Sequence, residues 1–286
     1  MKTEKSFIAS LLAIAFFISC DSADKTNDNS AATTPADQVA TDSKIDASID
    51  DVSNIAEDQF SMQQNITSKS STEMKSMLPA CATTTWTLTN GTFTGTIDFG
   101  TEGCTLENGN VLKGKIILSF SGNFSTSEQT ITYTLDGFYH NGIKIQGSKT
   151  ITRSLKSTDL LATIHPVFAC TIDMTVTFED GSIYTRTGNR TRELVEGYDT
   201  KANWQDNVYL VTGSENTSKP NGDTWSNTIT TPLRYEMTCK KPFPVSGTVL
   251  KVKNGVETLV DYGNGECDNL VLATTADITI TIELKK

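Results

Sequence analysis

The chain has 286 residues, with 34 acidic and 24 basic side chains and a formal net charge of −10. Such a surface excludes nucleic acid as a partner, because phosphates demand a basic footprint. It equally excludes attachment to anionic lipids through protein charge.

Residues 1–19 read as a bacterial lipoprotein signal. Lys2 and Lys5 supply a positive start, and Phe7 to Ile18 is an uncharged apolar run, too short to span a bilayer as a mature helix. Phe17-Ile18-Ser19-Cys20 places a small residue before the cysteine, so Cys20 is the expected lipidation site. The lipid then holds the protein to a membrane, and the outer membrane is the expected address, with the face it presents left open. Residues 20–43 are rich in Asp, Asn, Ser, Thr and Ala without an aromatic side chain. They read as a disordered tether, because they carry too little apolar surface to offset ordering. Asp21-Ser22-Ala23 also matches a short O-glycosylation motif.

Over 44–76 the pattern becomes a short amphipathic helix and spacer. Ile45, Ile49, Val52 and Ile55 form one apolar stripe, with Asp46, Asp50, Asp51 and Glu57 between them. The expectation is a helix docked on the domain that follows.

From 77 to 286 the pattern is that of strands. Ile116, Leu118 and Phe120 alternate with other residues, as do Cys170, Ile172, Met174, Val176 and Phe178, and Ile278, Ile280, Ile282 and Leu284. Period two with Thr-rich partners means strands with one wet face. Asn90-Gly91, Asn141-Gly142, Asp180-Gly181, Asn221-Gly222 and Asn254-Gly255 are hairpin signals suited to type I′ turns. The fold class is therefore all-β: a long antiparallel meander, as a curved sheet, sandwich or partial barrel, preceded by one short helix.

Asp98-Phe99-Gly100-Thr101-Glu102-Gly103-Cys104 recurs as Asp261-Tyr262-Gly263-Asn264-Gly265-Glu266-Cys267, each copy preceded by another cysteine. In an oxidising compartment this repeat predicts the bridges Cys81–Cys104 and Cys239–Cys267, leaving Cys170 as a free thiol packed like a small apolar residue. The repeat also offers hard oxygen ligands of the kind calcium prefers: Asp261, Asn264, Glu266 and Asp268 in one copy, Asp98, Glu102, Glu107 and Asn108 in the other. Neither follows the EF-hand spacing, and the same residues suit tight turns.

The order of Cys81, TIDFGTEGC, GKIILSFSG, GFYHNGIKIQGSKTIT, MTVTFEDG, RTRELVEGYDT, NVYLVTG, ITTPLRYEMTC and VDYGNGECDN resembles a family of uncharacterised Bacteroidota lipoproteins. The resemblance implies a lipoprotein signal and a short acidic helical segment ahead of a β-rich domain, and it implies no activity.

Motifs for chemistry are sparse. There is no G-x-S-x-G elbow and no phosphate or dinucleotide loop. His140 precedes Asn141-Gly142 and reads as a hairpin-tip residue, and His165 precedes Pro166. Glu179-Asp180 reads as a turn, and Glu193, Glu196 and Asp199 as a solvated polar loop. Trp86 and Trp225 read as strand packing and Trp204 as the most exposed indole. The expected function is a non-enzymatic, lipid-anchored envelope protein with a binding or structural role, its ligand a glycan, a lipid or an envelope protein and its oligomeric state open. The alternatives are a carrier of an apolar ligand in a half-barrel trough and a glycan hydrolase. No cofactor is expected beyond the calcium hypothesis.

Overall fold

A computed structural model describes residues 34–69, 73–200 and 203–286. Cys20, the signal segment, the glycosylation motif and most of the expected tether lie outside the described residues. Helix α1, Pro35–Thr67, comes first. The strands are β1 Thr83–Thr89, β2 Thr92–Asp98, β3 Cys104–Thr105, β4 Val111–Ser121, β5 Glu128–His140, β6 Ile143–Lys156 and β7 His165–Thr177. They continue as β8 Ile183–Glu196, β9 Val208–Ser218, β10 Thr224–Glu236, β11 Ser246–Lys253, β12 Val256–Asn264, β13 Leu270–Thr275 and β14 Ile278–Glu283.

Every pairing is antiparallel, and each strand lies beside its sequence neighbour, except that β2 pairs with β4 and the short β3 pairs only with β4. This is the expected meander, as one sheet of 14 strands that does not close. Its curvature is set partly by glycines in bulges. Gly114 and Gly247 fall where the registers of β4 with β5 and of β11 with β12 slip, both at positive φ (80° and 107°). A Cβ on Gly114 would strike the Gly137 carbonyl, so the two chains meet there closely.

The helix starts at Pro35, earlier than the expected Lys44, so 35–43 are helical rather than a tether. Thr34 is the N-cap: its hydroxyl accepts from the Asp37 amide at 3.2 Å, and the Asp37 carboxylate accepts from the Thr34 amide at 3.2 Å. Pro35 at the first helical position completes the start signal. Tertiary contact extends the helix: Val39 packs among Val211, Leu233, Val260 and Val271, and Asp42 is buried among cations.

From Ala47 to Phe60 every residue except Asn54 is buried. A helix buried on all sides cannot rest on a flat sheet, so the sheet wraps around it. One core joins Ile45, Ile49, Val52, Ile55 and Phe60 to side chains of β2–β10, and the other joins Val39 to side chains of β9–β14. The trough of the half-barrel is filled by α1.

Asn90-Gly91, Asn141-Gly142 and Asn254-Gly255 place both residues at positive φ, as expected. At Asp180-Gly181 and Asn221-Gly222 only the glycine does, because Asp180 and Asn221 instead accept from the amides of Ser182 (2.8 Å) and Asp223 (3.1 Å). The cysteines pair as predicted, with Cα–Cα separations of 5.8 Å for Cys81–Cys104 and 5.3 Å for Cys239–Cys267. Cys170 is free and buried.

Because the helix is the core, Ile49→Ala should cost about 2–5 kcal/mol of stability in urea unfolding. A surface helix would give less than about 1 kcal/mol at the same position.

Candidate functional site

The face of α1 that carries Asp42, Asp46, Asp50 and Glu57 meets an inward row of arginines on β8. Arg186, Arg190 and Arg192 have the even spacing that puts strand side chains on one face. Arg186 donates to Asp42 and to Glu215 of β9, both at 2.6 Å. Arg190 reaches Asp46 at 2.7 Å, Asp50 at 3.4 Å and Glu215 at 3.0 Å. Arg192 donates to Glu57 at 3.1 Å and also to Asn54. Lys251 of β11 donates to Asp42, as does the Trp225 indole at 3.1 Å. Beside this array, Asp51 accepts from Asn108 and Asn110 at 2.7 Å each and lies 2.8 Å from His140 Nε2.

Burial and the charged partners oppose each other at Asp42, Asp46, Glu57 and Glu215, and the balance differs from group to group. Burial would raise Asp42 and Glu215, but the neighbouring arginines, with Lys251 for Asp42, outweigh it and hold both below the ordinary values. For Asp46 burial wins over Arg190 and Arg186, lifting it to about 6. Burial also lifts Glu57 despite Arg192. Arg186, Arg190 and Arg192 are all driven up by their carboxylates in spite of burial.

At the C-terminal half of α1 the wrapping leaves a cleft of about 460 Å³. Arg153 of β6 and Phe168 of β7, partners in register, lie on its floor, and Arg192 of β8, next in register, stands outside its lining. Leu194, Tyr198, Trp204 and Tyr209 form one wall, and Glu57, Asp58, Ser61 and Gln64 of the helix form another. Asp58 accepts from Ser76 Oγ at 3.0 Å and from the Met77 amide at 3.2 Å, and burial lifts it from 3.8 to about 6.

The structure redistributes the residues singled out from sequence. His140, at its hairpin tip, and His165 are both buried and hydrogen-bonded; His165 Nε2 lies 2.9 Å from Glu193 and its Nδ1 lies 2.7 Å from the Thr163 carbonyl oxygen. Glu193 and Glu196 lie on β8, not in a polar loop, because the strand runs on through them; Glu193 is buried and Glu196 pairs with Arg234 at 2.7 Å. Glu179, Asp180 and Asp199 are exposed, and none of these five carboxylates lines the cleft. Trp204 is half-buried, as is Trp86, while Trp225 is buried, and Lys75 sits 5.7 Å above the Trp204 ring.

Asp261, Asn264, Glu266 and Asp268 line one shallow depression, together with Leu270 and Leu272. Asp261 accepts from the Gly263 amide at 2.9 Å and Asp268 from the Leu270 amide at 3.1 Å. Asp98 accepts from Gly100 in the same way at 2.8 Å, so the repeated motif is a repeated turn with a buried aromatic, Phe99 or Tyr262. Among the described residues no group of three or more His, Cys, Asp or Glu is arranged to hold a metal ion.

Sequence reasoning missed the ion array. Its signals were the four-residue spacing of Asp42, Asp46 and Asp50 and the even spacing of three arginines on one strand. Comparison with protein-family models, curated proteins and solved structures finds no match to this chain.

Two measurements probe this arrangement. Arg190→Met leaves Asp46, Asp50 and Glu215 short of a buried cation and should cost about 3–5 kcal/mol in chemical denaturation. Asp58 is raised in the folded chain, so its stabilising contribution is fully present below its ordinary 3.8 and lost as pH rises through about 6. Asp58→Asn should therefore gain about 1–3 kcal/mol relative to wild type when unfolding is compared at pH 7 and at pH 4. An unchanged difference between the two pH values would contradict the assignment.

Proposed function

We propose that this protein is a non-enzymatic, lipid-anchored envelope protein that holds a small ligand in the cleft beside the C-terminal half of α1. One observation carries the reading: a cleft of about 460 Å³ combines Phe124, Phe168, Leu194, Tyr198 and Tyr209 with a few polar groups placed among them. Small-molecule sites typically have this size and this mixture of apolar walls and sparse polar anchors. Its floor is built on strands and its wall on a helix fixed by buried ion pairs, so the site is preorganised and binding orders little. A cargo with an apolar part would lie in this cleft, because α1 occupies the inside of the curved sheet.

The anchor is Cys20, and the outer membrane is the proposed address, in keeping with the resemblance to Bacteroidota lipoproteins. Among the described residues no helix is long and apolar enough to cross a membrane. Cys20→Ala should abolish labelling by radioactive palmitate and release the protein from the membrane fraction; unchanged labelling and sedimentation would overturn the anchor. For the cleft, native mass spectrometry of wild type and Leu194→Arg tests occupancy. A small molecule retained by wild type and lost from the variant is expected, and equal retention by both would overturn the cleft as its site.

A further inference from the structure

Two arginines stand either side of Phe168, and only Arg153 lines the cleft. Arg153 of β6 and Arg192 of β8 flank Phe168 of β7 in register. Arg192 is matched by a carboxylate: Glu57 and Asn54 accept from its two terminal nitrogens, the Tyr209 ring lies 4.6 Å from its guanidinium, and only its Nε is left without a partner. Arg153 has only an aromatic face, the Phe60 ring 5.6 Å from its Cζ. Among the described residues its guanidinium makes no ion pair or hydrogen bond. Its guanidinium carries five donors in a fixed fork, and none of them is a buried unpaired atom, so they open to the cleft, where an acceptor can reach them.

The charge balance points the same way. Arg186, Arg190, Arg192 and Arg234 are all raised above the ordinary arginine value by their carboxylates. Arg153 moves in the opposite direction: burial pushes it down and the more distant Glu57 offsets only part of this. Glu57 itself is committed to Arg192, and Asp58 to Ser76 and Met77. No acceptor of the described residues reaches the Arg153 fork, which leaves it free to take one from a ligand in the cleft.

We propose that Arg153 is the anchor for the oxyanion of an amphipathic ligand, a carboxylate or phosphate attached to an apolar body. The planar fork of arginine matches either group with two parallel hydrogen bonds, which a neutral alcohol does not reproduce. The apolar body lies against Phe124, Phe168 and Leu194, which continue from the arginine along the same cleft. This rests on the cleft being the binding site.

Titration calorimetry on the purified full chain tests it, with decanoate, decyl phosphate, decanol and inorganic phosphate as probes, each below its micelle concentration. Decanoate and decyl phosphate should bind at least about tenfold more tightly than decanol, as expected for hydrogen bonds to a charged group. Inorganic phosphate should bind about tenfold or more weakly than decyl phosphate; equal binding of the two would overturn the amphipathic ligand in favour of a free anion. Arg153→Gln should remove the preference for anions and leave decanol binding unchanged. Arg153→Met should leave the melting temperature of the ligand-free protein unchanged or raise it, because it removes an unmatched charge while keeping the packing; a fall of more than about 4 °C would assign Arg153 a structural role instead. If decanol and decanoate bind alike to wild type and Arg153→Gln, the cleft stands and the anion anchor fails. If no probe binds wild type, the cleft reading itself fails.

Discussion

The structure depends on placing one long acidic helix inside a curved sheet. A meander of 14 strands without closure has an inner face with no second sheet to cover it. Helix α1 supplies the missing layer, giving Ile45, Ile49, Val52, Ile55 and Phe60 to one side of the core and Val39 to the other. The helix and the sheet each need the other to bury their apolar surface.

The ion array decides how the helix sits. Apolar contact is non-directional and would tolerate rotation or sliding of α1 along the sheet. Asp42, Asp46, Asp50 and Glu57 all meet their cations only at one register. A shift of one turn moves one aspartate into the place of the next but takes Glu57 from Arg192 and leaves one end of the array unmatched. Such arrays add little net stability, because desolvation offsets most of the attraction. Their contribution is to make alternative positions of α1 expensive. Aspartates unusual in a helix core are thereby explained by their partners on β8, β9 and β11.

The cleft is a consequence of the same arrangement. Where the helix nears its end at Thr67, the sheet continues beyond it, and the inner face of β6–β9 loses its cover. What remains is a preorganised space whose floor belongs to the sheet and whose wall belongs to the helix. Arg192, just outside it, is paired with Glu57, and Arg153 on its floor has no carboxylate partner, so the site carries a charge that the fold by itself does not match.

Much of this was determined by sequence alone. Period two, Asn-Gly turns and the lack of helical spacing after residue 77 dictated an antiparallel meander, because backbone alternation and turn conformation are local properties. The repeated Asp-aromatic-Gly-Cys segment likewise dictated Cys81–Cys104 and Cys239–Cys267, and left Cys170 unpaired. The tertiary structure alone decided the early start of α1, the burial of its acidic face, the placing of His140 beside Asp51 and of His165 beside Glu193, and the gathering of Arg153, Phe168 and Leu194 in one cleft. Each of these joins residues far apart in the chain, and a carboxylate reads as solvated until the fold supplies the arginine opposite it.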